Sequence, residues 1–539
     1  MNTTKILTAT LATLLFITNV FAGDKVKEVL AKDKLSAHDY RGALKMYYDM
    51  LAKEPNNPSY NYNAGQCLLE LKKYDDAITY FETTLKQKPK YNENVHLLLA
   101  KCYHSTGKLD EAIAEVNDYL ASGKKGGKPK EYESAMEVKI ECERAKEFIQ
   151  KPVDVTITNM GTVINSKYDD YAPSITADGK TMIFTSRRED TRGGGVDNEF
   201  DGKYFEDIYM TNFDERTGKW SEAEAIKGSL NSEAHDASLS ISPDGNQVFV
   251  YKNIPDETRS GDIFVSNLNK SGKWSTPRSV SENINSSYFE SSASLSSDGQ
   301  TLYFVSERQG KNTIGNGDIY KVKKISKSEW GIPENLGGIV NTPDDEVAVY
   351  IHPDGKTLFF SSKGHNSMGG YDIYKTTLAT DGSWSKPENL GYPINTTNDD
   401  LHFVLTANNT TAYYSRNNGP NALGERDIYK IDMTKSGIMP VNKEDAEKSK
   451  ELVIIKGDVI DNEASQGVEA DIIIADAITN EQVHKINSNA EGSYFCMLKA
   501  KKKYTITVTK EGFKPYTETI DLTINNNPSI TKPILLVRL

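Results

Sequence analysis

Five pairs of an asparagine and a carboxylate recur five residues apart: Asn165/Asp170, Asn231/Asp236, Asn285/Glu290, Asn341/Glu346 and Asn395/Asp400. Five carboxylates in symmetric positions would form a ring able to hold a cation or a basic peptide. The same residue types also hydrogen-bond turn backbone and lock neighbouring segments together. A second acidic cluster, Asp197, Glu199 and Asp201, followed by Gly202, has the start of a calcium loop. Its twelfth position is Ile208 where that loop needs a bidentate glutamate, so the signature fails and an acidic loop without a metal is expected. His365-Asn366-Ser367-Met368-Gly369 departs by one residue from the G-x-S-x-G of a hydrolase nucleophile. It has no strand-to-helix elbow around it. No HExxH, CxxC, P-loop or dinucleotide fingerprint occurs, and the eight histidines and four cysteines are scattered. These residues imply no catalytic group, no cofactor and no enzyme.

The elements that carry these residues are repeats. Turn-strand units recur as SITADGKTMIFTS (174–186), SLSISPDGNQVFVYK (238–252), SLSSDGQTLYFVS (294–306), YIHPDGKTLFFSS (350–362) and the degraded FVLTANNTTAYYS (403–415). Each is followed by Asp-Ile-aromatic, at Asp207, Asp262, Asp318, Asp372 and Asp427, spaced 55, 56, 54 and 55. Four units then carry Trp220, Trp274, Trp330 and Trp384. Four short strands per unit, joined by Asp-Gly turns, are the sequence of a β-propeller blade. Five blades are expected over 152–433. The fifth unit lacks a Trp strand, and DVTITNMGTVIN (154–165) supplies its outer strand and closes the ring. The carboxylate ring then falls where the innermost strands begin, at one mouth of the channel.

Upstream, residues 24–149 are helical. Alanines 43, 77 and 112 are spaced 34 and 35, with Tyr40, Tyr47, Tyr74 and Phe81 around them and prolines at 55 and 89. Small residues at fixed places let paired helices approach, and aromatics fill the gap between pairs. Stacking then buries the face that one pair cannot bury alone. The pattern resembles the tetratricopeptide repeat, with EYESAMEVKIECERAKEFIQ as a capping helix. The concave face, counted from that motif, carries Tyr62, Gln66, Glu70, Lys101 and His104. Downstream of a polar linker (434–450), residues 451–539 alternate apolar and polar and are split by glycines, as in a β-sandwich of about seven strands.

Bulk properties narrow the partners. The 539 residues exceed one core, and the net charge of −12 disfavours nucleic acid and anionic lipid. Lys5 followed by an apolar run to Val20 and then Val20-Phe21-Ala22 reads as a signal peptide over 1–22. No other stretch reads as membrane-spanning. Four cysteines in an exported chain of this size do not make a disulfide framework, and Cys67, Cys102 and Cys142 read as buried apolar residues of the helices.

The propeller repeats resemble the WD40-like repeats of the TolB family, and EGSYFCML with KKYTITVTKEGFKPY resembles the carboxypeptidase regulatory-like, transthyretin-like domains. The order of modules resembles periplasmic proteins of Bacteroidetes associated with type IX secretion and gliding, which usually end in an OmpA-like domain. That domain is not seen after KPILLVRL, so peptidoglycan binding is not carried over. The resemblance implies a non-enzymatic periplasmic scaffold, peripheral to the outer membrane, whose partners are envelope or outer-membrane proteins. The alternative is a periplasmic ligand- or carbohydrate-binding protein that uses the propeller face.

Overall fold

The structure is a computed structural model. It describes residues 25–122, 129–193, 195–197, 201–252, 261–269, 271–326, 329–440, 452–488, 491–524 and 529–539. The segment read as a signal peptide and most of the linker lie outside these residues. The chain divides into two compact units, Met1–Gln150 and Lys151–Leu539.

The first unit is helical. Helical turns over 25–36 (α1) precede α2 (Tyr40–Leu51), α3 (Pro58–Glu70), α4 (Tyr74–Gln87), α5 (Asn94–Ser105), α6 (Leu109–Ser122) and α7 (Pro129–Gln150). Starts are written in the sequence. Asn57 caps α3 by accepting the amides of Ser59 and Tyr60, and Pro58 takes the first helical position, where no amide is needed. Asp39 caps α2 through the amide of Gly42. From α2 to α7 each helix packs on the next. The marker alanines 43, 77 and 112 are fully buried, as are Tyr47 and Phe81. Gly65 shows why a small residue is required: a Cβ there would lie 2.7 Å from the Phe81 ring. All four cysteines are buried and free.

The second unit is made of sheets that are mostly antiparallel. Four consecutive sheets begin with strands Asp170–Ile175, Ala237–Ile241, Glu290–Leu295 and Glu346–Ile351 and run outward in chain order. The fifth contains Asp400–Leu405, Thr411–Asn417 and Arg426–Asp432, and its outer strand is Thr156–Asn159, paired from Thr156 opposite Asp432 to Asn159 opposite Tyr429. The strand that the fifth repeat lacks thus comes from the start of the unit. First strands neighbour one another in order, and Asp400–Leu405 neighbours Asp170–Ile175. Serine hydroxyls stitch some of them: Ser174 accepts the amide of Ile241 at 3.0 Å, and Ser292 that of Val349 at 3.0 Å. The Asp-Gly turns place Gly179, Gly245, Gly299 and Gly355 at positive φ, which Asn409 adopts in the degraded fifth unit. Tryptophans reach across to the preceding sheet: Trp384 lies edge-on to Tyr303 and Trp220 to Tyr413.

Residues 452–536 form two further sheets. One is built on Leu452–Asp461, with Gln466–Gly467, Ser493–Lys499 and the parallel segments Ser529–Thr531 and Ile534–Leu536. The other orders Gln482–Asn487, Asp471–Asp476, Lys503–Thr509 and Tyr516–Asp521. They share a core of Val453, Ile455, Ile472, Ile474, Cys496, Tyr504 and Ile506. Within ADIIIADAITN the strand stops at Asp476. That carboxylate takes the amides of Ile478 and Thr479 and turns the chain back.

Candidate partner-binding site

Tyr62 and Gln66 of α3, Asn94, Leu97, Leu98 and Lys101 of α5, and Lys130, Glu131 and Ser134 of α7 line one cleft of about 310 Å³. Tyr62 is fixed by ring contacts to Phe81 and Tyr91 at 6.2 and 5.5 Å, and its hydroxyl accepts from Asn92 Nδ2 at 3.4 Å. Leu97 and Leu98 give the lining an apolar surface, and Lys101, Lys130 and the carboxylate of Glu131 give it charge. Among the described residues neither Lys101 nor Lys130 forms an ion pair, so both charges are available to a ligand. The cleft can hold an extended polypeptide by apolar contact and by donors to its carbonyls or carboxylates.

Three of the five residues expected on the concave face, Tyr62, Gln66 and Lys101, meet in this cleft. The other two stand elsewhere. Glu70 is exposed at the end of α3 and is not part of the lining. His104 is buried, with Nδ1 3.9 Å from Glu141 of α7, because its side of α5 is covered by the last helix. Asn94, Leu97 and Leu98 were legible as the residues seven, four and three before Lys101 on the same helical face. Lys130, Glu131 and Ser134 were not, since α7 does not follow the repeat pattern.

The five symmetric carboxylates stand where the innermost strands begin, but they are not open to solvent. Asp170, Asp236, Glu290, Glu346 and Asp400 are all fully buried. Of the two roles expected for these residues, burial speaks against an open ring for a cation or basic peptide and fits the bonding of turn backbone that locks neighbouring sheets. Each carboxylate accepts the amide and the hydroxyl of the Ser or Thr four residues earlier: Ser166, Ser232, Ser286, Thr342 and Thr396. The paired asparagine works across the joint. Asn231, Asn285, Asn341 and Asn395 each exchange two hydrogen bonds with the backbone of Ile208, Ile263, Ile319 and Ile373 of the preceding sheet. Burial pushes the carboxyl of Asp170 up, and those of Glu346 and Asp400 up to about 7.

The acidic loop of the first sheet is neutralised from within. Asp201 takes Arg187 in a two-point pair and the amide of Lys203, and Asp197 is 3.0 Å from His235 Nε2. Glu199 lies outside the described residues. Asp201 is therefore committed to a guanidinium rather than presented to a cation. Among the described residues, His96, Glu115 and Asp118 on α5 and α6 bring ligand atoms within 4.8 Å of one another, but His96 Nδ1 and Glu115 already satisfy each other at 2.6 Å. Ser367 is buried, donates to Gly370 O at 2.9 Å and accepts from the amide of Gly369, so its hydroxyl serves a turn.

Residues 34–91 and 68–128 match the tetratricopeptide repeat family. No curated protein matches the chain. Among solved structures, the tetratricopeptide domain of P58(IPK) is 19% identical over 24% of this chain and 35% of that chain, with a TM-score of 0.22. The first tetratricopeptide domain of Spaghetti (RPAP3), bound to the HSP90 peptide SRMEEVD, is 16% identical over 23% of this chain and 93% of that chain, with a TM-score of 0.21. TolB from Acinetobacter baumannii is 17% identical over 51% of this chain and 57% of that chain, with a TM-score of 0.31. Within the helical unit, tetratricopeptide repeats are thus matched over residues 34–128, and α7 lies outside the match.

Proposed function

We propose that the chain is a non-enzymatic scaffold of the cell envelope whose tetratricopeptide cleft grips an extended segment of a partner protein. The observation that carries the reading is the cleft itself: Leu97 and Leu98 beside Tyr62, with Lys101 and Lys130, which form no ion pair among the described residues. In this reading the strand-rich unit is a closed five-bladed, TolB-like propeller followed by a carboxypeptidase regulatory-like sandwich. Its five buried carboxylates, each bonded to the amide and hydroxyl of a Ser or Thr four residues earlier, suit a rigid platform better than a reactive centre. The N-terminal apolar run supports export to the periplasm. The module order supports a place beside an outer-membrane secretion or gliding machinery. Crosslinking the tagged chain in cells, followed by mass spectrometry, tests the reading. Recovery of envelope proteins that are lost on Lys101→Glu/Lys130→Glu supports it. Recovery of the chain alone sinks it.

A further inference from the structure

Four of the five joints between sheets hold a base against the buried carboxylate. Asp170 has Arg188 at 3.1 Å, Asp236 has Lys252, Glu290 has Arg308 at 3.5 Å and Asp400 has Arg416 at 3.7 Å. In the first and third units the arginine also donates to the carbonyl just before the joint asparagine, Ile164 and Ile284. It lies over a pair of rings, Phe184 with Tyr209 and Phe304 with Tyr320. The fourth unit keeps this site and changes its occupant. His365 Nε2 is 2.9 Å from the equivalent carbonyl, Val340, and its ring sits beside Phe360 and Tyr374 at 6.1 and 5.1 Å. The place of the arginine two residues after the strand is taken by Gly364, where a Cβ would lie 2.2 Å from Thr342 Oγ1. Among the described residues no base is paired with Glu346.

Everything else that faces Glu346 is neutral or acidic. Thr342 and Ser362 give it hydrogen bonds at 2.7 to 2.9 Å. Asp318, from the sheet before, adds negative charge across the joint, and the half-buried Tyr371 lies within the field of Glu346. The nearby cation, Lys363, is spent on Asp345 at 3.9 Å and on the Tyr371 ring at 4.4 Å. Asp372, opposite Ser362 in the ladder, takes Asn389 and the Met368 amide. His365 is kept neutral, its basicity lowered by burial.

We propose that the joint between the third and fourth sheets is closed by a proton where the other four use a base, making it a pH-sensitive seam of the ring. A neutral carboxylic acid satisfies Ser362 and Thr342 without placing a bare charge beside Asp318. Burial holds the Glu346 carboxyl up at about 7 against an ordinary 4.5. A raised carboxyl stabilises the fold fully below the ordinary value, and that stability is lost as pH rises through the folded value. The seam is therefore tightest in mild acid and weakens toward and above neutrality.

Hydrogen exchange on the full mature chain, corrected for the intrinsic pH dependence, reads each joint separately. The amides of Ile319 and Thr342, bonded to Asn341 and Glu346, report the seam. Those of Ile263 and Ser286, bonded to Asn285 and Glu290, report a base-filled joint in the same molecule. Between about pH 5 and about pH 7.5, protection at the seam falls, by at most about tenfold per pH unit, relative to the control joint. Glu346→Gln, which mimics the protonated acid, abolishes the fall. Equal trends at both joints, or a trend that persists in Glu346→Gln, overturn the proposal. Should the variant not fold, the comparison of joints within the native chain still decides it.

Discussion

Asn165 accepts the amide hydrogen of Ile428 at 2.9 Å and donates its own carboxamide to the Ile428 carbonyl at 2.9 Å, across 263 residues of chain. This exchange repeats the one that Asn231, Asn285, Asn341 and Asn395 make with the sheet before each of them, so the first sheet treats the fifth as its predecessor. It joins the two ends of the sheet ring beside the strand pairing of Thr156–Asn159 with the fifth sheet. Both residues are buried. Asn165→Ala leaves the buried Ile428 amide without a partner, at about 1–3 kcal/mol, while the Ile428 carbonyl keeps the Met160 amide at 3.1 Å. Urea unfolding of the variant should show a lower midpoint. An unchanged midpoint would mean that strand pairing alone closes the ring.

His235 links the acidic loop to the sheets. Its Nε2 faces Asp197 at 3.0 Å and its Nδ1 faces Glu206 at 3.2 Å. The hydrogen bond to Glu206 holds the imidazolium above its ordinary 6.5, against the pull of burial. A histidine raised in the fold stabilises fully below the unfolded value and loses that contribution as pH rises through the folded one. Thermal unfolding followed from mild acid to about pH 8.5 should therefore lose stability with rising pH, and His235→Gln should flatten that part of the curve. Part of the ring is exposed, so solvent screening keeps the effect within about 1 kcal/mol. The Glu346 seam slopes the same way over the lower part of this range, which makes the difference between His235→Gln and the native chain the decisive quantity.

Repeats were legible because each copy obeys the same physics. Alanines 34 and 35 residues apart, Asp-Gly turns and Asp-Ile-aromatic strands announce contacts with neighbours of the same kind. The outer strand at Thr156–Asn159 could be read from its likeness to strands elsewhere in the chain. Burial of the five carboxylates was not legible. Whether Asp170 faces a channel or a joint depends on Ser166, Ser186 and Arg188 closing around it, and those lie 4 to 18 residues away on different elements. The wall of the cleft on α7 was hidden for a related reason: Lys130 and Ser134 belong to a helix whose place is set by what it covers rather than by a repeated pattern.

Gly65 and Phe81 test the packing of the helical unit. Phe81 is fully buried, and its ring meets the α3 backbone at Gly65. Phe81→Ala should cost about 3–5 kcal/mol through lost burial and a cavity. Gly65→Ala should also destabilise, by about 1–3 kcal/mol, because the added methyl meets an aromatic ring with little room to move. Chemical unfolding of the full chain, followed by helical circular dichroism, separates this loss from the strand-rich unit. A neutral Gly65→Ala would show that the ring can shift without cost.

The cleft should recognise charge as well as shape. Lys101 and Lys130 are exposed or partly exposed on helices already held by other contacts, so reversing either charge should leave stability within about 0.5 kcal/mol. Binding of a partner segment with a carboxylate between the two ammonium groups should weaken far more. Each charged hydrogen bond lost is worth about 1.5–3 kcal/mol, and the introduced carboxylate adds repulsion. The comparison is between the native chain, Lys101→Glu and Lys130→Glu against a panel of extended acidic and basic peptides, read by fluorescence anisotropy. Acidic peptides should bind the native chain more tightly than basic ones, lose affinity in both variants and weaken as salt rises. Leu97→Ala, on the apolar wall, should lower affinity without changing that salt dependence. Equal affinity for acidic and basic peptides, or variants that bind as well as the native chain, would remove the cleft from the account and leave the strand-rich unit to hold the partner.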